Sequence, residues 1–145
     1  MTHTEKAKEI FAQKYHCSQA VLAAFADDLG ITEMQALKLG GCFGGGMRKG
    51  EVCGAVTGAL MAIGLKYGQC TVEDLESRKI TDDKAIEMLD KFKSENGSYL
   101  CRELLGYDIS NPEDLKIIRE KQLFTTFCPK MVESATRIAE EIIFG

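Results

Sequence analysis

Apolar residues recur along this chain at steps of three and four, and no alternating run of strand length interrupts them, so the pattern predicts helix almost throughout. The first helix should begin near Thr2 or Thr4, with Thr2 and Glu5 at the spacing of a capping box, and run to about Leu29 before Gly30 stops it. Its inward stripe is Ile10, Cys17, Val21 and Phe25. A shorter helix follows from Thr32, with the same spacing to Gln35, and ends at Gly40 and Gly41. From Val52 to Leu65, between Glu51 and Lys66, fourteen residues carry no charge, and a helix apolar on every side belongs at the centre of a bundle. Gly54, Gly58, Ala55, Ala59 and Ala62 give it a smooth surface for close approach, which offsets the cost of about 1 kcal/mol for each interior glycine.

Beyond Gly68 the chain turns polar yet stays helical, with Ala85, Ile86, Leu89 and Phe92 on one face and Gly97 as the stop. Ser98 to Leu105 reads as a short helix carrying Cys101. Asn111 before Pro112, Glu113 and Asp114 combines a side-chain cap, a proline at the first helical position and acids in the first turn, with Leu115 and Ile118 facing inward. Cys128, at the N-cap before Pro129, opens a last helix whose inner face is Met131 or Val132, Ala135, Ile138 and Ile142. No internal repeat, low-complexity tail or linker divides the chain. The expectation is an all-α fold, a single helical-bundle domain over residues 1–145 with about five to seven helices packed around a central helix at about 51–67.

At 145 residues the chain suffices for one compact core and falls short of two. Its formal charge of -4 and pI near 5.3 come with basic residues scattered among acidic ones, so the dense basic face that nucleic acid or an anionic membrane selects is missing. No apolar run reaches the roughly 20 residues of a spanning helix, and the opening MTHTEKAKEI lacks the layout of a signal peptide. A cytoplasmic protein is expected, with no membrane insertion and no nucleic-acid partner.

In a reducing compartment the six cysteines, Cys17, Cys42, Cys53, Cys70, Cys101 and Cys128, suggest metal binding or redox chemistry before structural disulfides. No two form C-x-x-C, so any site they build is assembled by folding. The run GGCFGGGMRKGEVCGAVTG, Gly40 to Gly58, feeds Cys53 into the first turn of the central helix just after Arg48 and Lys49, and a thiol at a helix N-terminus is favoured as thiolate. Cys128 shares that setting, Cys101 has Arg102 beside it, and Cys17 faces the bundle, so four sulfurs are placed to converge. The competing reading, a small buried hydrophobe, weighs most for Cys17. Cys42 and Cys70 stand apart, although Cys42 is near enough in sequence to Cys53 to be a resolving thiol.

The Gly44-Gly45-Gly46 run lacks the G-K-S/T ending of a phosphate loop and no strand precedes it, so nucleotide readings fail. Gly44, Gly45 and Gly46 with Arg48 and Lys49 can still hold an anion on exposed N–H groups, such as a thiol substrate's carboxylate or an oxyanion. His3 and His16 read as exposed or hydrogen-bonded bystanders, and of the two only His16, beside Cys17, is placed to serve as base or ligand; the carboxylates form no catalytic pair.

These residues resemble the C_GCAxxG_C_C family of redox-active proteins, whose CGAxxG motif reads CGAVTG here, Cys53 to Gly58. The resemblance extends over HCSQAVLAAF around Cys17, FGGGMRKGEVCGAVTGALMAIGLKYG, FKSENGSYLCRELLG around Cys101 and CPKMV around Cys128. It implies a small helical protein with four signature cysteines, carried here by Cys17, Cys53, Cys101 and Cys128, with Cys42 and Cys70 outside the set. It also implies a neighbourhood of transporter genes, and similar domains accompany iron–sulfur and haem electron-transfer proteins. This chain has no C-x-x-C-H for covalent haem.

The leading expectation is a cytoplasmic thiol–disulfide oxidoreductase in which Cys53 is the attacking thiolate and Cys128, Cys101 or Cys17 resolves it, acting on a redox partner or a small thiol substrate. The rival is an electron-transfer module in which Cys17, Cys53, Cys101 and Cys128 hold an iron–sulfur cluster or zinc, against which stands the lack of any closely spaced ligand pair. A further alternative is a non-catalytic binding protein for a membrane transporter system, with the cysteines as core. The small-residue face of the central helix and the end of the last helix also suit a homodimer packed across a two-fold axis.

Overall fold

In a computed structural model describing residues 1–145, the chain forms nine α-helical segments: α1 (His3–Ala12), α2 (Cys17–Phe25), α3 (Glu33–Leu39), α4 (Gly54–Tyr67), α5 (Leu75–Asn96), α6 (Cys101–Leu105), α7 (Pro112–Glu120), α8 (Leu123–Thr126) and α9 (Cys128–Phe144). Seven of them have seven residues or more, and α6 and α8 are single turns. No strand is present, only one isolated bridge between Val52 and Leu100. The expected caps form. Thr2 accepts the Glu5 N–H at 3.0 Å, Thr32 accepts the Gln35 N–H at 3.0 Å, and the Asn111 side chain accepts from Glu113 at 2.9 Å and Asp114 at 3.2 Å.

The first helix does not run through to Leu29. It breaks after Ala12, where Lys14 takes a left-handed φ of +82°, and the chain restarts with His16 as N-cap, its N–H donating to the Gln19 side chain at 2.8 Å. Neither residue is the usual type for its position, since a left-handed stop favours glycine or asparagine and an N-cap favours Ser, Thr, Asp or Asn. The break puts Cys17 at the first position of a helix instead of midway along one.

Helix α4 is the central element, packed against α2, α5 and α9, with Ala55, Val56, Ala59 and Ala62 fully buried. Its small-residue face is used as close contact requires: a Cβ on Gly58 would stand 2.6 Å from the Ser18 carbonyl oxygen of α2. Leu22 and Phe25 from α2, Met88 and Phe92 from α5, and Val132, Ala135 and Ile138 from α9 complete the main core. A smaller cluster, Cys101, Leu105, Ile109 and Ile118, lies under α6 and α7.

The central helix starts at Gly54, two residues after its uncharged run begins at Val52. Residues 51–53 are drawn instead toward the start of α6: the Cys53 N–H donates to the Tyr99 carbonyl at 2.8 Å and the Cys101 N–H to the Glu51 carbonyl at 2.6 Å. Two segments nearly fifty residues apart are thereby pinned together at their cysteines.

Candidate functional site

Four helices begin at one cavity, and each begins with a cysteine. Cys17, Cys101 and Cys128 are the first residues of α2, α6 and α9, and Cys53 is the N-cap of α4. Cys128 sits one position further in than expected, because Phe127 takes the cap. All four line a cavity of about 590 Å³. Cys53 and Cys101 are buried, Cys17 and Cys128 partly so, and all six cysteines are free thiols. Cys42 and Cys70 are exposed and lie off the cavity.

The glycine-rich loop aims the backbone at these sulfurs. The buried Ser18 hydroxyl donates to the Gly40 carbonyl at 2.7 Å and anchors the loop to α2. Gly45, Gly46, Met47 and Arg48 then follow one another at φ of +62°, +61°, +55° and +63°, a left-handed turn in which each non-glycine residue costs roughly 1–2 kcal/mol. The surroundings impose it. A Cβ would meet the His16 ring at 2.4 Å on Gly44, the Ile109 side chain at 2.1 Å on Gly45 and the Glu51 backbone at 2.3 Å on Gly46. The turn sets the Gly45 N–H against the sulfur of Cys17.

The charges on the thiols follow. Cys17 is lowered to about 7, foremost by a hydrogen bond from the Cys53 thiol, against the opposing effect of burial and with help from the N–H groups of Gly45, Ser18 and Cys17 itself. Cys53 is pushed well above the ordinary thiol range by its bond to Cys17 and by burial. Within this pair the direction favours the anion on Cys17 and the proton on Cys53, whereas the helix-start setting of Cys53 led to the opposite expectation. Burial, together with the negative charge at Cys17, pushes Cys101 and Cys128 up to about 12. Arg102 does not turn toward Cys101, as its adjacency suggested; it pairs with Glu51 at 3.1 Å and donates to the Gly50 carbonyl at 3.2 Å. The cation that acts on Cys101 is Arg48. His16, at the cavity edge, is lowered by burial and by Arg48, so its imidazole is neutral at neutral pH.

Structural zinc and iron–sulfur sites take about four ligands at one point. No group of three or more His, Cys, Asp or Glu side chains is gathered closely enough to hold a metal ion. The four cysteines share a cavity without sharing a centre, and they fit neither group. The aromatic wall of the cavity, Phe11, Tyr15, Phe124 and Phe127, escaped the sequence reading, because these residues come from distant elements and lack any common spacing.

An all-α bundle with four thiols at helix starts around one cavity belongs to a thiol-centred class of protein. Over residues 15–142 the chain matches the family described as "Putative redox-active protein (C_GCAxxG_C_C)", and it belongs to that family. No curated protein and no solved structure matches it. No helix is long and apolar enough to cross a membrane.

Proposed function

We propose that the chain carries out thiol–disulfide exchange, with Cys17 as the attacking thiolate and Cys53 as the resolving thiol. The observation that carries this reading is the gathering of four free thiols on one cavity able to admit a substrate, with Cys17 the thiol lowered toward the anion. A thiolate is the nucleophile in such exchange, and one with a pKa near the ambient pH attacks best.

The Cys17 sulfur bonds to one sulfur of a substrate disulfide, whose S–S bond breaks with its electron pair leaving on the other sulfur. That departing thiolate takes the proton held by Cys53. The Cys53 thiolate then attacks the Cys17 sulfur of the mixed disulfide, a Cys17–Cys53 bond forms, and the second substrate thiolate departs. Two protein thiols are oxidised by two electrons while the substrate disulfide is reduced to two thiols; a dithiol reductant reverses the protein step. Cys101 and Cys128, held protonated, are further thiols on the same cavity to which oxidation can pass. Free thiols suit a reducing, cytoplasmic setting.

Exposure to a small disulfide, followed by thiol trapping and mass spectrometry, tests this. A Cys17–Cys53 disulfide is expected in the native chain, a lasting adduct on Cys17 in Cys53→Ser, and neither in Cys17→Ser. An inert Cys17 in the native chain would overturn the reading.

A further inference from the structure

Arg48 stands at the thiol cavity without a counter-ion. The cavity edge carries Lys8, Lys14, Arg48 and His16 and not one Asp or Glu, in a chain whose net charge is -4. Lys8 is occupied by Glu133 at 3.3 Å, whereas neither Lys14 nor Arg48 takes part in any ion pair. The guanidinium lies over the left-handed turn, with its Nη1 2.9 Å from where a Cβ on Gly45 would be. Arg48 itself has φ +63°, and such strain persists only where the surrounding structure over-determines it, commonly at binding sites. Behind the cation, the walls are aromatic and aliphatic. A volume of about 590 Å³ is that of a small-molecule site and far exceeds a bare inorganic ion.

We infer that the cavity takes a small organic disulfide with an apolar body and a carboxylate, the carboxylate seated on Arg48 and the body against Phe11, Phe124 and Phe127. This rests on the exchange reading above and names its substrate class. Arg48 is then a substrate-binding residue. A planar guanidinium matches a carboxylate in a two-pronged bond, and the apolar walls strengthen that bond by excluding water. The sulfur chemistry is the two-electron exchange already described, with the substrate leaving as two thiols and Cys17 and Cys53 joined.

The test uses the full chain with Cys42→Ser and Cys70→Ser, which removes the exposed thiols off the cavity. Rates of reaction at Cys17 are measured with anionic dithiobis(nitrobenzoate), neutral dithiodipyridine and cationic cystamine, each divided by its rate with a free small thiol. The anionic reagent is expected to be favoured at least about 10-fold over the other two; Arg48→Gln should remove about 10-fold from its rate and leave the neutral reagent within about twofold, with partial recovery in Arg48→Lys. Equal slowing of both reagents in Arg48→Gln, or no charge preference in the native chain, overturns the substrate class while leaving exchange intact. A Cys17 inert even to the neutral reagent overturns exchange itself. As a check independent of any Arg48 variant, unreactive naphthoate should protect Cys17 of the native chain from neutral iodoacetamide, and absence of protection counts against the proposal.

Discussion

The sulfur of Cys17 lies 2.5 Å from where a Cβ on Gly54 would stand, so the thiolate occupies the space that the first residue of α4 leaves empty. The same Cβ would press on the Phe43 carbonyl oxygen at 3.0 Å, which is backbone and yields little. Gly54→Ala is expected to lose about 1–3 kcal/mol in urea unfolding despite the better helix propensity of alanine. It should also move the Cys17 titration, followed by alkylation rate against pH, from about 7 upward toward an ordinary thiol.

The hydrogen bond from Cys53 is the largest influence holding Cys17 down. Cys53→Ala removes the donor, so the Cys17 titration should rise and its alkylation at neutral pH should slow by about tenfold for each unit of rise. Cys53→Ser keeps an O–H donor and should retain most of the lowering. Identical titrations in the two variants would show that the bond is not the cause.

Labelling order follows from the same charges. With iodoacetamide near neutral pH, Cys17 should react ahead of Cys101 and Cys128, whose thiols are held up to about 12 by burial and by the charge at Cys17. Quantifying the adducts by mass spectrometry at short times checks this. Early labelling of Cys128 would contradict it.

His3 ties the two ends of the chain together. Its ring stacks on Phe25 at 4.6 Å and Phe144 at 5.4 Å, and its two nitrogens meet Asp28 and Glu140 at 2.5 Å each. Burial opposes its charge, but the bonds and attraction of the two carboxylates outweigh burial and raise its pKa above 6.5. A raised pKa gives stability that is fully present below about pH 6.5, the unfolded value, and is lost as pH rises through the folded value. The His3→Phe variant keeps the stacking and lacks the charge. Its stability deficit should be larger near pH 5.5 than near pH 8.5, by about 0.5–1 kcal/mol since both carboxylates are partly exposed.

The helices with strong end signals could be read directly from the residues: Thr2 and Glu5, Thr32 and Gln35, and Asn111 with Pro112 all form the caps that their spacing dictates. The uncharged run from Val52 likewise marks the central helix, because only a position surrounded by other elements can bury every face. What the residues did not reveal depends on tertiary contacts. Lys14 accepts a left-handed conformation and His16 a capping role against their local preferences, so the break that exposes the Cys17 end of α2 carries no sequence mark. The lowering of the Cys17 thiol comes from Cys53, thirty-six positions away, and from an N–H of Gly45, neither of which follows from the neighbours of either cysteine. His3, unremarkable in sequence, gains its partners only when α1 meets α9 and the end of α2.

The left-handed segment from Gly45 to Arg48 has a consequence for turnover. Its Gly45 amide is drawn to a negative sulfur, an attraction that exists only while Cys17 is reduced. Once that sulfur is bonded to another, the pull disappears and only the packing against His16, Ile109 and the Glu51 backbone still holds the turn. In the exchange proposed above, the segment bearing Arg48 is therefore held less firmly in the oxidised protein than in the reduced one.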